Sequence, residues 1–304
     1  MIYTVTFSPA IDYVVDLDQL EIGAINRSKG EHALPGGKGI NVSIVLANLG
    51  TPSIATGFLG GFTGNYIKDE LNKMGISSEF VEVDGLTRIN VKLRGKEETA
   101  INGQGPHITD EQIEELITKL EKLNEEDLLV ISGTIPSSLP KNIYQRILER
   151  IKDRHARVII DSNKEILLNT LKYKPVLVKP NQEELEEMFE TKINNKEELV
   201  ENAKKLLDLG AQNVIVSLGK DGALLVNKDI VELLPAPKGK VVNTVGAGDS
   251  LVAGFIDEYV KTGNIARAFR KGIATGSASA FSEGLATKEE VEVLLNRMDD
   301  WKGA

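Results

Sequence analysis

The stretch Asn243-Thr244-Val245-Gly246-Ala247-Gly248-Asp249-Ser250 places two glycines and an acid directly before an apolar segment. The two β-branched residues before it, Val241 and Val242, predict a short strand. After it, apolar side chains recur at the spacing of an α-helix, at Leu251, Val252, Phe255, Ile256 and Tyr259. The pattern therefore indicates a strand that turns sharply into a helix.

Such a helix start is a candidate anion-binding site. Gly246 and Gly248 allow a ligand to approach the backbone closely, and the amides of the first helical turn have no partner inside the helix. Asp249 admits two interpretations, an acid that complements the helix dipole or a catalytic base held beside a phosphate. The stretch alone favours neither.

Composition narrows the function classes. With 304 residues the chain can form one large α/β domain or two smaller ones. A net charge of -9 argues against nonspecific nucleic-acid binding, and the absence of cysteine excludes disulfides and thiolate chemistry. The start of the chain lacks the basic region of a signal peptide, and no apolar run is long enough to span a membrane. We therefore expect a cytoplasmic protein with no membrane partner.

Short apolar runs alternate with amphipathic segments through much of the chain. The predicted strands are 2–7, 128–132, 158–161, 176–178 and 214–217, and the predicted helices include 40–49, 143–151 and 199–209. A capping box at Thr109 and Gln112 starts another helix, and 222–226 with 230–234 predicts an edge hairpin. After 52–57 we expect a glycine-rich connection at Gly60, Gly61 and Gly64. The predicted fold is α/β, a doubly wound, mostly parallel sheet with helices on both faces.

Two segments, about 12–30 and 86–103, interrupt this alternation. Short strand-like runs, with strands expected from Val14 to Ser28 and from Arg88 to Arg94, are flanked there by glycine and charge. They predict a small β-sheet inserted beside the main core, which could serve as a lid.

A second glycine motif, Gly36-Gly37-Lys38-Gly39-Ile40-Asn41, opens a predicted helix. A phosphate or a sugar edge could approach its backbone, or it could be a tight turn with a solvated lysine. It is not a Walker A loop, because His32 stands at the position of the first glycine and no Ser or Thr follows Lys38. The stretch at Gly246 lacks the third glycine of a dinucleotide fingerprint, since Leu251 stands there.

Three further stretches remain ambiguous on their residues alone. In 179–184, Asn181 and Glu184 could face magnesium or a triphosphate, although a helix N-cap at Asn181 is the stronger interpretation. The stretch 217–222 could carry a phosphate but is typical of a hairpin turn. The Gly-, Ser- and Ala-rich run 274–280 indicates close helix packing or room for an adenine ring.

The motifs 36–41 and 243–249, in this order, resemble the two signature regions of the ribokinase-like sugar kinases of the phosphofructokinase B type. The resemblance extends from Ile2 to about Glu292 and implies one kinase domain over 1–304. The stretch 1–12 is most similar to bacterial members that phosphorylate fructose 1-phosphate to fructose 1,6-bisphosphate with ATP and Mg²⁺. Tagatose 6-phosphate is the alternative acceptor. A non-catalytic sugar-phosphate-binding regulator is a further alternative, which the intact Gly-Ala-Gly-Asp run disfavours.

The resemblance also implies residue roles. Asp249 would be the base, and the amides of Gly246, Ala247 and Gly248 would form the anion hole. The implied sugar-phosphate positions are Asp12, Arg27, Gly36, Gly37, Lys38, Asn41, Arg88, Thr134 and Asp249. The implied nucleotide positions are Lys179, Asn181, Ser217, Gly219, Gly222 and Gly248, with Glu184 holding the metal through water. Ser8 and Thr134 stand where many relatives carry Asn and Ser, which affects substrate detail.

Two further expectations follow. A helix N-terminus favours a carboxylate, so Asp249 should be ionised and ready to accept a proton at neutral pH. The lid sheet should expose an apolar face, and the resemblance implies that two subunits cover it by forming a homodimer.

Overall fold

A large, mostly parallel sheet forms the centre of the computed structural model, which describes residues 1–300. Its strands in those residues are β1 Ile2–Thr6, β4 Ile54–Leu59, β5 Ser77–Ser78, β6 Val81–Glu82, β9 Leu128–Ser132, β10 Arg157–Asp161, β11 Leu177–Val178, β12 Asn213–Ser217, β13 Ala223–Asn227 and β14 Val231–Leu234. Their order is β14-β13-β12-β11-β10-β9-β1-β4-β5, with β6 beside β4. The antiparallel pairs among these strands are β12–β13 and β13–β14, and the second of them is the predicted edge hairpin.

Helices cover both faces of this sheet. They are α1 Lys38–Asn48, α2 Gly61–Lys73, α3 Asp110–Leu120, α4 Ile143–Ile151, α5 Lys164–Thr170, α6 Gln182–Phe189, α7 Lys196–Asp208, α8 Ala247–Thr262, α9 Ile265–Phe281 and α10 Lys288–Asp300. Side chains of β9 alternate between two cores: Leu129 and Ile131 pack with α3 to α7, and Leu128 and Val130 pack with α1 and α8 to α10. This confirms the predicted doubly wound α/β fold.

A separate four-stranded sheet has the order β3-β2-β7-β8, with β2 Ala10–Asp16, β3 Gly30–Gly36, β7 Arg88–Arg94 and β8 Glu98–Asn102. The strand expected from 88 to 94 is present. Of the strands expected from Val14 to Ser28, only 14–16 is present, as the end of β2, because 17–29 forms the connection between β2 and β3. Strand β3 ends at Gly36, and Gly37 is the N-cap of α1.

Two other predictions about local structure are wrong. Gly61 opens α2 and Gly64 lies inside it, so Gly60, Gly61 and Gly64 do not form an irregular connection. Val241 and Val242 are half exposed in the connection between β14 and α8. The amides of Val242 and Asn243 both donate to the carbonyl of Ala280 in α9, at 2.8 and 3.2 Å, instead of to a strand. The β-branched residues were therefore misleading here.

The carboxyl ends of the parallel strands place polar side chains in one row. Thr6 of β1 is in register with Ser132 of β9, and Ser132 with Asp161 of β10. Ligands in open α/β sheets bind at this edge. None of the helices within residues 1–300 has both the length and the apolar character needed to cross a bilayer.

Candidate active site

The first turn of α8 is built around Gly246, whose φ of 79° lies in the left-handed region that favours glycine. A methyl group there would also lie 2.6 Å from Leu285 Cδ2. The regular helical pattern begins with Ser250, whose N–H donates to the Gly246 carbonyl at 2.8 Å. Before it, the Ala247 N–H donates to the Thr244 carbonyl at 3.2 Å, so one of the three predicted anion-hole amides is already engaged.

Asp249 is buried in this turn, with only 6% of its surface exposed. Asn41 Nδ2 of α1 donates to its Oδ2 at 2.8 Å. Burial and, second, the neighbouring Asp161 carboxylate raise the pKa of Asp249 to about 7. The expectation that the helix N-terminus favours the ionised form of Asp249 is met only in part at neutral pH, because burial and the like charge of Asp161 oppose ionisation. Asp249 is half ionised near neutrality.

Asp161, which sequence reasoning missed, connects two of the predicted lysines. Its Oδ2 lies 3.3 Å from Lys38 Nζ and its Oδ1 lies 3.2 Å from Lys179 Nζ. Burial alone would raise the pKa of Asp161, but the two ammonium groups hold it below its ordinary value. A methyl group added at Gly248 would lie 3.4 Å from Lys179 Nζ, so this ammonium group borders the start of α8.

Asp12 is held on the small sheet by two side chains of β7. Asn90 Nδ2 donates to Asp12 Oδ1 at 2.9 Å, and Lys92 Nζ lies 3.2 Å from Asp12 Oδ2. A methyl group at Gly36 would lie 2.7 Å from the same Oδ2, so the predicted glycine lies directly against the predicted acid. Asn90 and Lys92 were missed, although both alternate with Arg88 on one strand and so share its face.

Arg88 borders a polar cavity of about 460 Å³ that is also lined by Ser8, Gln104, His107, Thr134 and Ser138. Its Nη2 donates to the Ser8 carbonyl at 3.2 Å. The cavity thus brings together two of the predicted sugar-phosphate positions, Arg88 and Thr134. Arg27 is exposed in the connection between β2 and β3, and it is not among the residues that line this cavity.

A second cavity of about 520 Å³ borders the start of α8. Four predicted nucleotide positions line it, Ser217, Gly219, Gly222 and Gly248. Its wall also includes the missed apolar residues Val241, Pro237, Leu251, Ile273 and Phe281, the missed lysines Lys220 and Lys238, and Gly276, Ser277 and Ala280 of the small-residue run. A mostly apolar wall with a few polar and basic groups suits a flat base that carries phosphates.

Asn181 and Glu184 form a reciprocal capping box at the start of α6. Asn181 Oδ1 accepts from the Glu184 N–H at 2.7 Å, and Glu184 Oε2 accepts from the Asn181 N–H at 2.9 Å. This is the helix-cap interpretation of these residues, and it leaves Glu184 Oε1 for a hydrated Mg²⁺. Mg²⁺ needs only one or two carboxylates beside phosphate and water, so the donors fit. A bridge between Asn181 and Ser217 ties the cap to the nucleotide side.

The stretch 217–222 forms the turn that its residues predicted. Leu218 N–H donates to the Gly222 carbonyl at 2.9 Å, and Gly222 N–H donates to the Gly219 carbonyl at 3.2 Å. Because Ser217, Gly219 and Gly222 also line the larger cavity, the turn and the nucleotide interpretations are compatible.

The buried Asp249 carboxylate should reduce stability at neutral pH. Its pKa rises from an ordinary 3.8 to about 7, so its favourable contribution is complete below pH 3.8 and is lost as the pH rises through 7. At about 1.4 kcal/mol per pH unit, the loss is roughly 4 kcal/mol. Asp249→Asn carries no charge, and its stability relative to the wild type should be higher by this amount at pH 8 than at pH 4. Urea unfolding at both pH values measures the difference, and an equal difference at both would contradict it.

Comparison with known proteins identifies the family of the chain. Residues 5–292 match the model of the pfkB family carbohydrate kinases. The chain is 50% identical to 1-phosphofructokinase of Bacillus subtilis (strain 168), covering 97% of each chain, and 39% identical to D-tagatose-1-phosphate kinase of Bacillus licheniformis, covering 98% of each.

Solved structures of phosphofructokinase-2 from Escherichia coli show the same fold. In the complex with substrates and products the TM-score is 0.93 at 27% identity, covering 98% of this chain and 99% of the other. A tetrameric inhibited form of that enzyme superposes with a TM-score of 0.91 at 27% identity, with the same coverage. The family match over nearly the whole chain, together with these relatives, shows that the protein belongs to the pfkB family of carbohydrate kinases.

Proposed function

We propose that this kinase transfers the γ-phosphoryl group of ATP to the C6 hydroxyl of D-fructose 1-phosphate, giving fructose 1,6-bisphosphate and ADP. The observation that carries the proposal is a buried carboxylate with a pKa of about 7, Asp249, in the helix turn that borders the larger cavity. A group whose pKa lies near the working pH is well suited to accept a proton and release it again.

Asp249 accepts the proton of the sugar hydroxyl as the new oxygen–phosphorus bond forms and the bond to ADP breaks. Phosphoryl transfer passes through a loose transition state, so the protein mainly positions the groups and stabilises their charge. The amides of Gly246 and Gly248 at the start of α8 and the Lys179 ammonium beside Gly248 supply that stabilisation. Glu184 would hold Mg²⁺ through water, and the metal would supply positive charge to the triphosphate.

The acceptor's own phosphate is assigned to the cavity at Arg88, because a guanidinium binds phosphate through two parallel hydrogen bonds. Asp12, oriented by Asn90 and Lys92, would bind a sugar hydroxyl. Among the candidate acceptors we choose fructose 1-phosphate, because the 50% identical relative is a 1-phosphofructokinase. The 39% identical relative makes tagatose 1-phosphate the first competitor, ahead of the tagatose 6-phosphate that the resemblance suggested.

An acceptor panel tests this assignment. ADP release with MgATP is measured for fructose 1-phosphate, tagatose 1-phosphate, tagatose 6-phosphate, fructose 6-phosphate and unphosphorylated fructose. The highest kcat/KM should belong to fructose 1-phosphate, with fructose far lower because nothing then fills the Arg88 cavity. A clear preference for either tagatose phosphate would overturn the choice of acceptor, and no transfer to any sugar phosphate would overturn the proposed function.

The small sheet is the expected lid and subunit interface. Ile89 and Ile101 on its strands are 38% and 58% exposed and share one face, while Leu34, 46% exposed, lies on the opposite face. We infer a homodimer paired through this sheet, and light scattering that showed a monomer would contradict it.

Since ATP and sugar phosphates are cytoplasmic metabolites, we also infer a cytoplasmic location. Recovery of the chain with membranes on cell fractionation would contradict this location.

A further inference from the structure

Asp161 lies between two lysines that both belong to the predicted site. It is almost fully buried, and each of its two oxygens faces a different lysine at 3.2–3.3 Å. The lysines come from separate elements: Lys38 is the first residue of α1, and Lys179 follows β11. One carboxylate therefore ties together two strand-to-helix junctions that both reach the predicted site.

The sheet fixes where this carboxylate lies. Asp161 is the last residue of β10, its carbonyl accepts the Gly133 N–H at 2.9 Å, and it is in register with Ser132. Its position therefore does not depend on a surface loop. Both lysines have long flexible side chains, so Asp161 limits where their ammonium groups can go.

The same ammonium groups also act on Asp249. Charged and polar side chains reach Asp249 from three other parts of the chain. They are Lys38 and Asn41 of α1, Asp161 of β10 and Lys179 after β11. Helix α9 packs against this turn with Gly276, which carries no charge. The two lysines lower the pKa of Asp249, and Asp161 raises it. If Asp161 lost its charge, Asp249 would be the carboxylate left to attract both lysines.

We propose that Asp161 is a positioning residue that fixes the Lys38 and Lys179 ammonium groups, each on its own carboxylate oxygen, on the sugar side and the nucleotide side of the transferred phosphoryl group, and so keeps Asp249 available as the base. The inference rests on the proposed kinase reaction for the roles of the two sides. It goes beyond a stabilising ion pair, because it assigns Asp161 control over both the lysines and the base.

The test compares Asp161→Asn with the wild type and with Asp257→Asn. Asp257 is a matched control, since it is also a buried aspartate between two lysines, Lys261 and Lys271, with Lys271 Nζ at 2.5 Å, but it lies further along α8. Each variant is assayed from pH 5.5 to 9 with MgATP and fructose 1-phosphate, and each is melted to measure stability.

Asp161→Asn should lower kcat roughly 100-fold at pH 8.5, where Asp249 is ionised in all three proteins. The reason is that the Lys38 and Lys179 ammonium groups would no longer be positioned to stabilise the transition state. It should also shift the acidic limb of the profile of kcat against pH to lower pH by about one unit, because the Asp161 carboxylate no longer repels the charge of Asp249. Asp257→Asn should lose stability while keeping the wild-type limb. The proposal is overturned if Asp161→Asn also changes only stability.

Lys38→Met provides a variant of opposite sign. Removing a cation near Asp249 should move the acidic limb up, and in Lys38→Met/Asp161→Asn the loss of kcat should be smaller than the product of the two single losses. Coupling through Lys38 would be contradicted if the kcat loss of the double variant equalled the product of the two single losses. It would also be contradicted if the acidic limbs of Lys38→Met and Asp161→Asn lay at the same pH. This variant tests the proposal even if Asp161→Asn does not fold.

Carboxyl ¹³C titration of the substrate-free protein separates this proposal from the proposed function. The Asp249 signal, assigned by its absence in Asp249→Asn, should titrate lower in Asp161→Asn and higher in Lys38→Met. An inactive wild type would overturn the reaction alone, whereas an unchanged Asp249 titration in both variants would overturn the role of Asp161.

Discussion

Asp249→Asn should reduce kcat by roughly 10²- to 10⁴-fold, the range expected when a general base is lost. An amide cannot accept the proton of the sugar hydroxyl. It has nearly the same size as the carboxylate, and its oxygen can still accept the hydrogen bond that Asn41 donates at 2.8 Å. The affinities for sugar phosphate and ATP should therefore change little. Coupled assays give kcat and KM, and calorimetry gives the binding constants directly.

The control for this substitution is again Asp257→Asn, the same chemical change on the same helix. Asp257 accepts from the Thr51 hydroxyl and pairs with Lys271, and it has no role in the proposed reaction. It should retain turnover within about tenfold, since a change that does not touch the transition state alters its stabilisation little. If Asp249→Asn keeps turnover within the same range, Asp249 is a helix-dipole acid and not the base.

Arg88→Ala should raise the KM for fructose 1-phosphate on the order of 100-fold, with little change in the KM for ATP. Hydrogen bonds between charged partners contribute about 1.5–3 kcal/mol each, and Arg88 is the guanidinium that lines the polar cavity. Its effect should disappear with unphosphorylated fructose, which carries nothing for Arg88 to bind. Initial rates with each substrate varied in turn measure the two KM values.

Arg94→Ala, on the same strand of the small sheet, serves as the matched control. Arg94 does not line the cavity, and its substitution should leave both KM values within about twofold of the wild type. An equal rise in both KM values for Arg88→Ala would show that Arg88 is structural, acting through its contact with the Ser8 carbonyl.

Much of the fold was predictable because local patterns decide it. The buried strands from 128 to 217 and the capping box at Thr109 follow from apolar periodicity and side-chain capping, which depend on neighbours in sequence. The strand predicted at Val241 and Val242 is absent because the amides of Val242 and Asn243 donate to the distant Ala280 carbonyl. The start of α2 failed because Gly61 lies against Gly85 and Leu86, a close approach that only tertiary structure reveals.

The candidate site divides in the same way. The two glycine motifs and Arg88 were found because their residue types suggest anion binding wherever they stand. Asp161 was missed because its partner Lys38 is 123 positions away in sequence, and a single acid at a strand end carries no local signal. The pKa of Asp249 could not be predicted either, since the helix start suggests ionisation and only the packed structure shows the burial that opposes it.

A competition between two acceptors tests the central claim most directly. Equimolar fructose 1-phosphate and tagatose 1-phosphate, which differ only in the configuration at C4, are incubated together with limiting MgATP, and the two bisphosphates are quantified by NMR. The product ratio equals the ratio of the two kcat/KM values. We predict predominantly fructose 1,6-bisphosphate in the wild type and no detectable product in Asp249→Asn. Predominantly tagatose 1,6-bisphosphate, or undiminished product in Asp249→Asn, would contradict the account.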